Sequence, residues 1–227
     1  MYRYQILIEY VGTNFVGWQI QSKGKSIQKL IQTKLSKLLK EKILLIGSGR
    51  TDSGVHAIEQ SAHFECKKEI QNLDKFLKSV NHFVNDMSVS IINIKKRNIN
   101  FHARFSAKQR IYKYIIFNRL SRPSIEKERG WHIIKELDVT LMKKGAKKLL
   151  GTKDFSTFRS SSCNAKSPIR TMKSIKIKSI KGRIEIQFKS QSFLQQQVRS
   201  MVGCLKYLAE KKWDLKKFDF VFKSKKR

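Results

Sequence analysis

The chain has 227 residues, and 40% of them are hydrophobic, which is enough for one large or two small packed domains and too many for a disordered protein. Its 49 Lys and Arg residues against 17 Asp and Glu residues give a formal net charge of +32, which disfavours cationic partners and favours polyanions, nucleic acids first. Because 36 of the 49 cations are Lys residues scattered along the chain, a biased amino-acid composition is the competing explanation.

The first half of the chain has the predicted order β-α-β-β-α-β. Apolar residues alternate through positions 3–11, which is typical of a strand with one buried face. Ser26 is a predicted N-cap for an amphipathic helix that ends near Lys40. The order is completed by strands at 43–46 and 58–65, a helix at Leu73 to about Phe83 with Asn72 at its start, and a strand at 87–95. This is the order of a ferredoxin-like unit.

The second half repeats that order with longer loops. Asp138 is a predicted N-cap, and Lys181-Gly182 is typical of a tight hairpin turn. The predicted elements are a strand at 107–118, a helix at 139–150, strands at 171–180 and 183–189, a helix from 193 to about 211 and a short helix from 214. A closing strand is missing from this order.

We therefore predict an α+β fold. Two halves of ferredoxin-like order, residues 1–105 and 106–227, form a mixed, mostly antiparallel central sheet with helices on one side. A cleft between the halves is the expected ligand site, because ligands commonly bind between such layers.

Cysteine and histidine patterns indicate no metal site. Three isolated cysteines give neither the close pairs of zinc sites nor the even count of a disulfide framework, and the five histidines lack metal-ligand spacing. The apolar runs are too short for a membrane span, and the N-terminal stretch carries Arg3 and Glu9. We expect a cytoplasmic protein with no membrane segment and no signal peptide.

The segment at 47–56 is the strongest candidate for chemistry. Three glycines within eight residues surround Arg50 and Asp52, so the backbone can approach a ligand closely. Arg50 would keep the Asp52 carboxylate ionised and able to act as a nucleophile. The alternative is a turn aspartate that binds its own backbone, which Gly-rich loops often contain.

Two later segments have the composition of RNA-contact loops. Residues 101–105 alternate aromatic and basic groups and could clamp a nucleic-acid backbone, although both phenylalanines could equally be core residues. The polar loop around 162–166 carries Lys166 and could lie against phosphates or simply be solvated.

Two residues of the second half complete the candidates. Tyr112 shares a strand face with Arg110 and Tyr114, where its ring could stack on a base. Arg199 falls between apolar residues of a helix, so it is either near-buried with Asp52 as its partner or an exposed helix residue.

Taken together, these segments resemble the tRNA pseudouridine synthase A family. The matching segments, in family order, are EYVGTNFVGWQIQ, SIQKLIQ, GSGRTDSGVHAIEQSAHFE, NFHARFSAKQRIYKYIIFN, LLGTKDFSTFRSSSCNAKSPIR and SFLQQQVRSMVG. GRTD followed by GVHA, with FHARF about fifty residues further on, is highly specific to that family.

The resemblance implies the pseudouridine synthase fold and the isomerisation of uridine to pseudouridine at positions 38, 39 and 40 of the tRNA anticodon stem-loop. By that resemblance, Asp52 is the nucleophile, Arg50 helps to displace the target base, Tyr112 stacks on the flipped uracil and Arg199 orients Asp52. It further implies that a homodimer acts without a cofactor and contacts tRNA, not DNA. The implied RNA-contact residues are Phe101, His102, Ala103, Arg104, Phe105, Ser162, Cys163, Asn164, Ala165 and Lys166.

The sequence departs from the family pattern in two places. Gln195-Gln196-Gln197 stands where the family usually has His-His-Met, and the family continues past the position of Arg227 into a further strand. The second departure favours a competing hypothesis, a non-catalytic tRNA-binding or folding protein derived from the family.

Overall fold

The computed structural model describes residues 1–84 and 87–226 and divides the chain into two units, Met1–Ala107 and Lys108–Arg227. The described residues exclude 85, 86 and 227. Residue 227 is the last position of the predicted second half. Both units combine helices with a β-sheet, so the predicted α+β class is confirmed.

The first unit has the predicted β-α-β-β-α-β order. Its elements are β1 (Tyr2–Tyr10), α1 (Ile27–Leu39), β2 (Ile46–Gly47), β3 (Ala57–Cys66), α2 (Leu73–Val84) and β4 (Val89–Arg97). The strands lie in the order β2-β3-β1-β4, and every neighbouring pair is antiparallel. Strand β3 therefore lies between β2 and β1, inside the sheet.

The periodicity of the sequence decides which face of this sheet is buried. Alternate residues of β1 are at most 2% exposed and pack with one stripe of α1; they are Tyr4, Ile6, Ile8 and Tyr10 on the strand and Ile27, Ile31 and Leu35 on the helix. Ser26 caps α1 by accepting a hydrogen bond from the Lys29 amide, as predicted.

The strand predicted at 43–46 is mostly wrong, because only Ile46 and Gly47 pair with β3. Ile43 and Leu45 are buried in the core, but side chains of α1 satisfy their backbone amides. The Ile43 amide donates to Ser36 Oγ and the Leu45 amide to Gln32 Oε1. Helix side chains here replace the ladder that a neighbouring strand would have supplied.

The second unit contains a mixed, mostly antiparallel sheet. Its elements are β5 (Arg110–Asn118), β6 (Trp131–Ile133), α3 (Val139–Lys148), β7 (Gly151–Asp154), a 3₁₀-helix (Ser156–Phe158), β8 (Ile169–Ile180), β9 (Arg183–Ser190), α4 (Gln197–Ala209) and α5 (Leu215–Lys223). The sheet order is β6-β5-β9-β8-β7, in which only the β5–β6 pair is parallel. The short strands β6 and β7 were not predicted.

The hairpin turn and the helix caps of the second unit agree with the sequence. Lys181 and Gly182 both have positive φ, 45° and 75°, as a two-residue hairpin turn of type I′ requires. Asp138 accepts a hydrogen bond from the Leu141 amide and so caps α3.

Helix α4 begins at Gln197 instead of the predicted Phe193. Gln196 has φ 60°, and the Leu194 amide donates to Gln197 Oε1, so the backbone just before α4 does not continue the helix. Within the described residues no strand follows α4; instead, α5 buries Phe218 in the core of the second unit and packs Phe222 against Phe155 and Phe158 of the 3₁₀-helix segment.

Candidate active site and RNA-contact loops

The loop of residues 47–56, which we name the catalytic loop for the role predicted for Asp52, connects β2 with β3 and carries both Arg50 and Asp52. Its backbone is fixed at Thr51, next to Asp52. The Thr51 hydroxyl lies 2.8 Å from the hydroxyl of Tyr10, and the Thr51 carbonyl accepts a hydrogen bond of 3.0 Å from the Trp18 amide. Tyr10 and Trp18 are both buried, so rigid parts of the unit hold this end of the loop.

The other side of the loop is a hydrogen-bonded turn. The Val55 amide donates to the Asp52 carbonyl, Gly54 has φ 76°, and the Ser53 hydroxyl donates to the Phe15 carbonyl at 3.1 Å. The Asp52 side chain is half-buried, while Arg50 is exposed. The loop therefore presents a carboxylate at a surface with a guanidinium two residues away.

A second segment, residues 11–18, packs closely against the catalytic loop. A Cβ atom on Gly12 would lie 2.0 Å from the Val55 carbonyl oxygen, and one on Gly17 would lie 2.6 Å from the Thr51 carbonyl oxygen. Gly17 also has φ 107°, which side-chain-bearing residues rarely adopt. The two backbones approach so closely that only glycine fits at these positions.

The sequence reasoning missed Gly12, Gly17 and Thr51 as supports of the catalytic loop. The available signal was the spacing of glycines in EYVGTNFVGW. That pattern predicts a loop, but it does not say which other segment the loop touches.

The loop of residues 101–105 in the first unit, which we name the RNA-contact loop for its predicted role, follows β4, and its tip is exposed. Phe105 is 77% exposed and Arg104 is exposed, with the Arg104 guanidinium over the Phe105 ring at 5.8 Å. Ala103 is 2% exposed, so its side chain faces the interior. The alternative that both phenylalanines are core residues is therefore wrong for Phe105, while Phe101 is half-buried.

Side chains from the sheet hold this loop. Arg3 of β1 donates through Nη1 to the Phe101 carbonyl at 2.6 Å and also forms an ion pair with Glu65. His63 of β3 is 2% exposed and accepts a hydrogen bond of 3.1 Å from the Ala103 amide at Nδ1. Burial first, and then the nearby His102 and Arg3, lower the pKa of His63 to about 4, although Glu65 opposes the shift.

In the second unit, Tyr112 lies on β5 and its ring meets Phe193 edge-on at a centroid distance of 5.0 Å. Burial raises the pKa of Tyr114, two residues further along the same face, and the charge of Arg199 partly offsets this shift. Arg199 therefore lies near the tyrosine face of β5. Its side chain is exposed, which favours the exposed-helix alternative over a near-buried arginine.

The second predicted RNA-contact loop, residues 162–166, is anchored by one cysteine. Cys163 is 8% exposed and belongs to the core of the second unit, and its amide donates to the Ser160 carbonyl. Ser162, Asn164 and Lys166 are exposed. This burial turns the Cys163 side chain inward and leaves the polar residues on either side at the surface.

Gln197, in the segment that differs from the family pattern, is fully buried. Its Oε1 atom accepts from the Leu194 amide, and its Nε2 atom has no hydrogen-bond partner among the described residues. Gln195 is exposed, and its carbonyl accepts from the Ser160 amide, which links the start of α4 to the 160–166 segment.

The structure thus places the predicted site residues in both units. Asp52 and Arg50 share one loop of the first unit; in the second unit, Tyr112 lies on β5 and Arg199 lies near Tyr114 of the same strand. The predicted contact between Arg199 and Asp52 stays a prediction. In residues 1–84 and 87–226, no three His, Cys, Asp or Glu side chains lie together as metal ligands would, and no helix is long and apolar enough to span a membrane.

Comparison with known proteins identifies the family. Residues 6–106 and 146–227 match the family model described as tRNA pseudouridine synthase. A protein of Pelagibacter ubique (strain HTCC1062) named tRNA pseudouridine synthase A is 83% identical over 227 residues, which are all of this chain and 92% of that protein. A protein of the same name from Paramagnetospirillum magneticum (strain AMB-1) is 40% identical over 94% of this chain and 83% of its own length. The chain belongs to the tRNA pseudouridine synthase family.

Proposed function

We propose that this protein isomerises uridine to pseudouridine in tRNA, with Asp52 as the catalytic carboxylate. One observation carries the proposal: Asp52 lies half-buried on a loop whose backbone is held by contacts that only glycine permits. A nucleophile must be held in a fixed position to react, and a loop clamped on both sides supplies that position without help from the substrate.

The reaction needs little besides that carboxylate and a way to expose the base. The N1–C1′ bond breaks, the uracil turns, a C5–C1′ bond forms, and the proton lost from C5 is balanced by one gained at N1. No electron is transferred and no water is consumed, so the chemistry calls for no cofactor. A base within a stem must first leave its stack, which costs a few kcal/mol.

Arg50 and Tyr112 are suited to offset that cost. Arg50 is exposed beside Asp52 and would take the place of the displaced base, and the half-buried Tyr112 ring would stack on the uracil. Arg199 would supply positive charge to the Asp52 carboxylate.

The net charge of +32 would supply affinity for the tRNA backbone, while recognition of the RNA shape would determine where on the tRNA the protein binds. We place the target uridines at positions 38, 39 and 40 of the anticodon stem-loop. The loops at 101–105 and 162–166 serve as RNA contacts, and the working form is a cytoplasmic homodimer.

The decisive experiment replaces Asp52 by Asn. Asn has nearly the same shape and cannot act as a nucleophile, so tritium release from tRNA that carries C5-labelled uridine should fall to background, while tRNA binding stays within about twofold. Undiminished release from this variant would overturn the proposal.

Asp74→Asn is the matched control. Asp74 is an exposed carboxylate in the first turn of α2, so this change alters net charge equally and leaves the catalytic loop intact. It should keep full activity. Reverse-transcription stops after carbodiimide treatment of the product tRNA would map the modified positions, and stops outside 38–40 would contradict the assignment of the target stem.

A further inference from the structure

His63 lies at a point that the sheet fixes from both sides. It belongs to β3 and pairs with Gln5 of β1 on one side and with Ile46 of β2 on the other. Its side chain is 2% exposed. A residue held in this way has little freedom to move, so what it binds is held equally firmly.

The RNA-contact loop at 101–105 is bound to that residue. The Ala103 amide donates to Nδ1 of His63 over 3.1 Å, and both residues are buried. The His63 ring also meets the rings of Phe101, at 6.0 Å, and His102, at 4.8 Å. The middle of the loop is therefore attached to the sheet through a single imidazole.

The loop completes its own turn around this attachment. The His102 amide donates to Ser106 Oγ, and the Ser106 amide donates back to the His102 carbonyl. The His102 ring accepts from the Arg104 amide and meets the Phe105 ring at 4.4 Å. With Ala103 pinned inward, Arg104 and Phe105 are turned outward.

An acceptor at Nδ1 requires neutral His63 with its proton on Nε2, because a charged imidazolium has no lone pair to offer. Arg3 of β1 and His102 of the loop face His63 as further basic groups, and Glu65 of β3 faces it as the acidic one. Burial and the two basic neighbours keep the ring neutral at physiological pH.

We propose that His63 is the positioning residue of the RNA-contact loop, and that its neutral imidazole, by holding the Ala103 amide, directs Arg104 and Phe105 toward tRNA. The proposal rests on the function given above for the same protein. It assigns to His63 an effect on tRNA binding and not on the chemical step.

The test compares two substitutions at this position in the full chain. His63→Leu removes the acceptor and leaves a buried amide unpaired, so KM for tRNA should rise about tenfold with kcat within about twofold of the wild type. His63→Asn places an oxygen near the position of Nδ1 and should restore KM to within about threefold. Phe64→Leu, a buried change on the opposite face of β3, should leave KM unchanged.

A measurement on the free protein separates this proposal from the proposed function. Hydrogen exchange at the Ala103 amide should become about tenfold faster in His63→Leu and stay slow in His63→Asn. Unchanged exchange at Ala103, or an unchanged KM in His63→Leu, would overturn the role of His63 whatever the activity of Asp52→Asn. Failure of Asp52→Asn to lose activity would overturn the function and leave the exchange result intact.

Discussion

The catalytic loop and the RNA-contact loop of the first unit, each named for its proposed role, are held in place by different kinds of contact. The catalytic loop at 47–56 is clamped by contacts with residues 11–18, where Gly12 and Gly17 allow the two backbone segments to touch and the Gly12 amide donates to Nδ1 of His56. The RNA-contact loop at 101–105 is held by side chains, namely the guanidinium of Arg3 and the imidazole of His63.

Because of this difference, the two loops are sensitive to different kinds of change. A clamp built on close backbone contacts tolerates no added Cβ, because neither backbone segment can give way. A loop held by ionisable side chains responds to the loss of a hydrogen-bond acceptor or of a charge. Under the proposed function, the catalytic carboxylate lies on the loop that backbone contacts clamp, and the RNA contacts lie on the loop that side chains hold.

Among changes to the residues that hold the two loops, Gly12→Ala has the largest expected effect. The added methyl group would meet the Val55 carbonyl oxygen at 2.0 Å, and neither backbone can give way without moving Asp52. We expect kcat/KM to fall about 100-fold, since a shift of about 1 Å at a reacting group costs that much. Steady-state tritium release on the folded variant measures it.

Gly203→Ala is the control for that substitution. Gly203 lies within α4, where an added Cβ meets no atom within 4 Å. Because alanine is the better helix former by about 1 kcal/mol, this variant should be slightly more stable and fully active. Equal activity of the two alanine variants would show that the glycine clamp does not position Asp52.

The pH dependence of stability is the next effect. His63 has a folded-state pKa of about 4, below its ordinary value of 6.5, so the unfolded chain binds the extra proton between these values. The contribution of neutral His63 to the free energy of unfolding is fully present above about pH 6.5. It is lost as pH falls toward 4, by at most about 3 kcal/mol. Denaturant unfolding between pH 4 and 7 should show this loss in the wild type and a smaller one in His63→Asn. Parallel curves would contradict it.

Arg3→Gln should have a smaller effect. This change removes the donor to the Phe101 carbonyl and breaks the ion pair with Glu65, and we expect a loss of about 1–2 kcal/mol in the free energy of unfolding. Lys96→Gln loses the same charge from the exposed pair with Glu69 and should change stability by less than about 1 kcal/mol. Equal losses in the two variants would mean that contact with the loop adds nothing.

Ser53→Ala should have the smallest effect and so tests the comparison from the other side. The Ser53 hydroxyl donates to the Phe15 carbonyl, but Ser53 is exposed and the clamp does not depend on this bond. Both kcat/KM and KM should stay within about twofold. A drop as large as that expected for Gly12→Ala would show that side-chain bonds, and not the glycine contacts, hold the catalytic loop.

Much of the fold could be predicted from local patterns. The alternation in β1, the caps at Ser26 and Asp138, and the turn at Lys181-Gly182 all act within a few residues of the chain, so the sequence displays them directly. The strand at 43–46 failed because its partners are side chains of α1, which no local pattern reveals. Strand β6 is short and pairs in parallel with β5, which likewise leaves little local signal.

The candidate site divides in the same way. The Gly-rich loop identifies Asp52 and Arg50 because unusual residue types are close together in the sequence. The roles of Gly12 and His63 could not be predicted, since each depends on a contact with a residue 40 or more positions away, Val55 for Gly12 and Ala103 for His63.

The sequence by itself therefore determined the fold class, the order of the main elements and the residues that could carry chemistry. Only the tertiary structure decided what holds those residues in place, which face of the RNA-contact loop is outward and that Arg199 is exposed. The physical reason is range. Propensity, capping and turn chemistry act between near neighbours in the chain, whereas excluded volume and hydrogen bonding between loops depend on which distant segments folding brings together.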